Sequence, residues 1–236
     1  MDLNEDTART APVVSLAGQP NYRRRYWPLL LLAVCLGASA QNQDLPVAKL
    51  ADKVHVYIIP TDGIAEQGAG RMARGVSAET GLTVRSTLWA PSGKLEPFAG
   101  TDQYAAEDLI ALSAPIARTL HDASPSTYYI VLTNRDINSS DRTFRYAIAH
   151  HNPAANTSVL SIARLLHNRN GTAATPEVAG MRIGKMLVRT VGEMRLGWKR
   201  TGEPHDVMYA PIMSTDDIDR MDLARSVQAR RKGGLQ

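Results

Sequence analysis

Two apolar runs, VHVYIIP from Val54 and STYYIVLTNRDI from Ser126, constrain this chain most tightly. The first alternates and stops at Pro60; the second is β-branched and aromatic, and both read as strands. The second has the composition of a buried strand, and its C-terminal end carries Asn134, Arg135 and Asp136. Helical patterns lie around them. IAEQGAGRMARGVSAETG mixes small residues and charges at helical spacing and stops at Gly81, as a helix would. YAAEDLIALSAPIARTLHDA, with Tyr104, Leu109, Leu112, Ile116 and Leu120, is the clearest amphipathic helix. LTVRSTLWAP, FRYAIAHHNP and TSVLSIARL supply further strands, with a loop over 150–156. A helix from about Val178 to Leu196 follows, and DDIDRMDLARSVQARR closes the chain as another. This order predicts α/β layering: a sheet backed by two helices, with a C-terminal lobe.

The chain has 236 residues, 44% of them hydrophobic and 21% charged, the balance of an ordinary globule. The net charge is +4, and acids and bases are interspersed between Arg23–Arg25 and the basic end at Arg230, Arg231 and Lys232. That pattern gives a mixed solvated surface and no nucleic-acid footprint. Near the start, YRRRYWPLLLLAVCLGASAQNQ sets a basic cluster before a short apolar run and the triplet Ala38-Ser39-Ala40, the order of a secretory signal cleaved after Ala40. The run is short of the roughly 20 apolar residues that span a membrane. A retained anchor over residues 27–40 is the alternative, and it is the only route to a membrane partner. The single cysteine, Cys35, lies inside this run. A chain cut after Ala40 has no disulfide, thiolate nucleophile or cysteine-bound zinc.

Several chemistries find no support. Ser158 and Ser161 lack a Gly-x-Ser-x-Gly elbow. GAGR at Gly68 has neither the lysine nor the Ser/Thr of a phosphate loop. STDDID reads as a helix start at Ser214 or Thr215, where negative charge favours the macrodipole, and lacks the spacing of a calcium loop.

RTVGEMRLGWKRTGEPHDVMY, from Arg189 to Tyr209, is the most telling stretch: a helical run, a glycine, a turn, then Met208 and Tyr209. Together with VHVYIIP, TDQYAAEDLI, YYIVLTNRDI and SVLSIARL in that order, it resembles the archaemetzincins and, more loosely, the matrixin-like metzincin proteases. The resemblance runs from about Val54 to Arg220. It implies a metzincin-like mixed twisted sheet backed by two helices, an active-site-type helix and a small C-terminal lobe. The implied domains are residues 1–40 as signal or anchor, 41–53 as linker, 54–229 as the metzincin-like domain and 230–236 as a basic flexible tail.

The family's site is His-Glu-x-x-His on a helix, then x-x-Gly-x-x-His, with a methionine turn beneath. Histidines at i and i+4 share a helix face and hold one zinc, and the glutamate acts as general base on its water. Anchored on Gly197, the motif positions are Thr190, Val191, Met194 and Arg200, and the turn methionine is Met208. The family's later metal-binding cysteines correspond to Thr201, Asp206, Ser226 and Ala229. The resemblance therefore implies a degenerate site with no catalytic residue, and the expectation is no cofactor. Apolar Val191 and Met194 relieve the cost of burying polar ligands. Arg200 pairs with Asp206 or Glu193, or offers its fork to an anion. The implied role is that of an exported pseudo-protease that binds a peptide or protein partner or serves as a scaffold. The alternative is an active zinc enzyme with ligands rearranged onto His205, His150 and His151; the latter two, adjacent on a strand, point to opposite faces.

Overall fold

The computed structural model describes residues 53–61, 63–93, 95–142 and 144–232. The expected signal or anchor and nearly all of the linker lie outside the described residues. Among the described residues no helix is long and apolar enough to cross a membrane.

Three strands are buried along their whole length: β1 (Val56–Pro60), β4 (Tyr128–Thr133) and β7 (Thr157–Ser161). Such runs need cover on both faces, and parallel pairing supplies it because the crossovers carry helices. β1 pairs in parallel with β4 and with β2 (Val84–Ser86), β4 pairs in parallel with β7, and β6 (Ala149–Asn152) closes the far edge antiparallel to β7. The order is β2-β1-β4-β7-β6. A small parallel pair, β3 (Gln103–Ala105) and β5 (Asp136–Asn138), stands apart.

Side-chain alternation sorts the core. Val56, Ile58, Tyr128, Ile130, Leu132 and Leu160 face α1 (Glu66–Thr80) and α4 (Pro176–Arg195). On the other face Val131 and Val159 meet α2 (Ala106–Ala111), while Tyr57, Ile59 and Tyr129 meet Ile116 and Ala117 of α3 (Ser113–Ala117). The mixed sheet with two long helices on one face is the expected architecture. Gly81 ends α1 in the left-handed region at φ 73°, as its position in the sequence predicts.

The expected long amphipathic helix is in fact three pieces. Tyr104 and Ala105 belong to β3, and α2 stops at Ala111 before α3 begins. Pro115 accounts for the break, since its ring clashes with the carbonyl four residues back and it has no N–H to give. The expected closing helix also divides, into α5 (Thr215–Arg220) and α6 (Leu223–Lys232), around an extended Met221. α6 runs through Arg230 and Arg231, so the first residues of the expected flexible tail are helical.

Ser214 caps α5 and Thr215 opens it, at the start the sequence predicts, and Asp217 fastens the cap by accepting the Met213 and Ser214 N–H groups at 2.8 and 2.9 Å, with Arg220 as ion-pair partner. Burial alone would raise the Asp217 pKa, but these N–H donors and Arg220 outweigh it and hold the carboxyl below its ordinary value. Its contribution is therefore complete above about pH 3.9, the unfolded aspartate value, and is lost as pH falls through the lower native value. Asp217→Asn is expected to cost about 1–2 kcal/mol at neutral pH. Urea unfolding across the acid range should show that difference shrinking below about pH 4.

Candidate functional site

α4 starts on Thr175, whose side chain accepts the Val178 N–H at 3.3 Å, with Pro176 in the first turn and Glu177 favouring the helix dipole. Its second half passes through the core, so Thr190 and Val191 are sealed at 1% and 0% exposure, and Met194 packs partly buried against the same cluster. The helix ends where Gly197 turns left-handed at φ 68°, and the Trp198 N–H returns to the Gly192 carbonyl at 2.9 Å. Trp198 then lies flat against the helix backbone: a Cβ on Gly192 would sit 2.1 Å from the indole ring.

Beyond the turn, the Thr201 N–H donates to the Met208 carbonyl at 3.1 Å and the Ala210 N–H to the Thr201 carbonyl at 2.9 Å. Met208 is fully buried. The loop is tied to the helix by Arg189, whose Nη1 donates to the Val207 and Tyr209 carbonyls at 2.9 and 2.8 Å. Burial lowers the Arg189 pKa, partly offset by Glu193. Arg200 meets Glu193 through Nε at 2.9 Å. Asp206, the other expected partner, takes Arg230 instead, at 2.8 Å.

Two of the positions matched to the family's later cysteines, Asp206 and Ser226, are joined through hydrogen bonds. The Val207 N–H donates to Ser226 Oγ at 3.0 Å, Ser226 Oγ donates to the Asp222 carbonyl at 2.6 Å, and Arg230 donates to the Ser226 carbonyl at 3.0 Å. The Arg230 guanidinium also lies over Trp198, 4.7 Å from the ring centre.

A cleft of about 240 Å³ opens between α4, β6 and the loop after Tyr209, lined by Tyr146, His151, Arg189, Glu193, Arg200 and Pro211 among others. His151 Nδ1 is 2.5 Å from Ser158 Oγ, which is 2.6 Å from Tyr128 Oη. Burial lowers the His151 pKa, so the imidazole is neutral near pH 7, with Glu193 acting in the opposite sense. His150 faces the other way, 3.5 Å from Glu107. His205 Nδ1 sits 3.0 Å from the Arg220 carbonyl. The three histidines of the rearranged zinc site thus have different neighbours, and among the described residues no three His, Cys, Asp or Glu side chains converge as a metal site.

Arg189, Trp198, Ser158 and Tyr128 carry the cleft's geometry and were not singled out from the sequence as site residues. Their partners lie 6 to 30 positions away in the chain, beyond any local spacing rule. The glycine at 192 was the one visible signal.

The topology and the cleft beside α4 define an archaemetzincin-like fold, and comparison with solved structures bears this out. A zinc-dependent peptidase from Methanocorpusculum labreanum superposes with a TM-score of 0.58 at 17% identity, over 71% of this chain and 94% of that one. The archaemetzincin of Methanopyrus kandleri gives 0.56 at 19% identity, covering 79% and 98% of the two chains. That of Archaeoglobus fulgidus, complexed with malonate, gives 0.53 at 21%, covering 74% and 98%. No family model matches the chain, and no curated protein does.

These neighbours correct one expectation. The sequence predicted no cofactor, whereas the structures sharing this fold include a zinc-dependent peptidase and point to zinc. The residues at the motif helix do not themselves fit that ion. Besides Tyr146, the ionisable groups lining the cleft are Glu193, neutral His151 and the cations Arg189 and Arg200, and the cations repel a dication.

Gly192→Ala is expected to displace Trp198 and lower stability by about 1–3 kcal/mol, read from chemical unfolding. Arg230→Ala, which strips the Asp206 ion pair and the indole contact, should cost about 1.5–3 kcal/mol by the same measurement.

Proposed function

We propose that this chain is an exported, catalytically degenerate member of the metzincin-like group that binds an extended peptide and does not cleave it. The observation that carries the proposal is the identity of the side chains on α4. Thr190 and Val191 are sealed in the core, and Met194 packs against it, so the motif positions supply neither a general base nor nitrogen ligands. Glu193, the carboxylate in the cleft, is engaged by Arg200.

β6 supplies the binding element. Its described partner is β7, with Ala149 opposite Leu160 and His151 opposite Ser158. The Ser161 N–H donates to the Ile148 carbonyl, so residues 148, 150 and 152 face β7 with their backbone polar groups. Ala149 and His151 turn theirs to the open edge. An incoming peptide strand pairs with those groups, and its alternate side chains drop toward the cleft. Export rests on the basic cluster, apolar run and Ala38-Ser39-Ala40 triplet.

Three measurements test this. Incubated with zinc and a quenched-fluorescence peptide mixture, the purified protein should release no fragments, and zinc-dependent turnover would overturn the pseudo-protease assignment. Hydrogen exchange with the peptide mixture added should slow at the Ala149 and His151 amides while those of β2, the opposite edge, stay unchanged. Intact mass of protein recovered from the exporting cell is expected to begin at Gln41.

A further inference from the structure

We propose that the cleft floor is a carboxylate receptor in which Arg189, Arg200 and His151 together hold one carboxylate of the bound peptide. The inference rests on the peptide-binding reading above and names what that peptide must carry.

Arg189 is more than nine-tenths buried, at 7% exposure, yet one nitrogen makes both of its bonds to the protein. Nε and Nη2 have no acceptor among the described residues, and each keeps some accessible surface in a side chain that lines the cleft. A buried guanidinium with idle donors is costly unless a ligand meets them. Arg200, more exposed, uses only Nε, on Glu193, and among the described residues its Nη1 and Nη2 meet no acceptor.

The third donor follows from hydrogen-bond accounting. Tyr128 is buried, and Ser158 is its hydroxyl's partner. A dry phenol left without an acceptor costs about 1–3 kcal/mol, so Tyr128 donates to Ser158. The Ser158 hydroxyl must then donate to His151 Nδ1. A neutral imidazole that accepts at Nδ1 carries its proton on Nε2. With Nδ1 turned inward to Ser158, the Nε2–H edge faces the cleft that His151 lines.

The charges agree. The lining holds two guanidiniums, one carboxylate and a neutral imidazole, which leaves one positive charge uncompensated. One carboxylate balances it, whereas a phosphate dianion would face Glu193 with charge to spare. The planar fork of arginine matches a carboxylate in two-point contact. A cavity of about 240 Å³ is below the 300 Å³ or so of small-molecule sites. It takes a chain terminus or a single acidic side chain.

The test uses the full exported protein, immobilised and offered a randomised hexapeptide mixture with free carboxyl termini beside the same mixture amidated. Retained peptides are identified by mass. Free acids should be retained about tenfold over amides, the factor that about 1.4 kcal/mol produces. Enrichment of Asp or Glu at one fixed position in the amidated pool would locate the same carboxylate on a side chain. Arg200→Gln should abolish either preference. Glu193→Gln, which removes the competing carboxylate, should strengthen it, a gain that misfolding cannot mimic. Equal retention of acids and amides with no acidic position enriched overturns the carboxylate receptor and leaves peptide binding standing. Retention of no peptide overturns peptide binding itself, and the receptor with it.

Discussion

The buried guanidinium of Arg189 is the interaction on which the cleft depends. It joins α4 to the loop that forms the cleft's lower wall by holding two carbonyls with one nitrogen. Both carbonyls would otherwise be left short of donors in a region where Val207 and Met208 are fully buried. The same side chain therefore fixes the position of Met208, the width of the cleft and the sign of its charge. Neighbouring contacts reinforce it: Thr201 stitches the loop from outside, and Trp198 on Gly192 sets the angle at which the chain leaves the helix.

Much of the scaffold was legible in the sequence, because it is written in local patterns. The buried strands, the glycine stops at Gly81 and Gly197, the cap of α5 at Ser214 and the length of α4 all follow from periodicity and capping. Apolar spacing predicts one long amphipathic helix, and Pro115, whose steric veto acts at a single residue, divides it. The division between α5 and α6 had no comparable signal. The cleft was only half legible. Opposite faces for His150 and His151 follow from strand geometry, and a partnership of Arg200 with Glu193 or Asp206 follows from proximity in the chain. That Arg230 takes Asp206 and so leaves Glu193 to Arg200 is decided by the docking of α6, which no local rule contains.

In the C-terminal lobe, hydrogen bonds and an ion pair hold together segments that are distant in the chain. Positions that the family resemblance associates with metal-binding cysteines are cross-linked here by Ser226, Asp206 and Arg230, with Trp198 as a platform. A hydrogen-bonded ion pair and an aromatic face do locally what a shared ion does, namely hold distant segments at fixed distance. One structural neighbour is a zinc-dependent peptidase, which is a property of that protein. In this chain, Gly197 ends α4 in the left-handed region and Met208 is fully buried.

β6 is four residues long and runs directly into Pro153, which opens a single 3₁₀ turn. A proline there denies a visiting chain any continuation past Asn152, and so short an edge offers few backbone bonds. Two copies of this protein consequently have little to gain by zipping edge to edge, which protects an exposed strand from self-association. The brevity also limits what any partner obtains from main-chain pairing. On the peptide-binding reading proposed above, selectivity would come from what the side chains find beneath the strand, and the edge would act as a short ruler that sets which residue of a peptide arrives over the cleft.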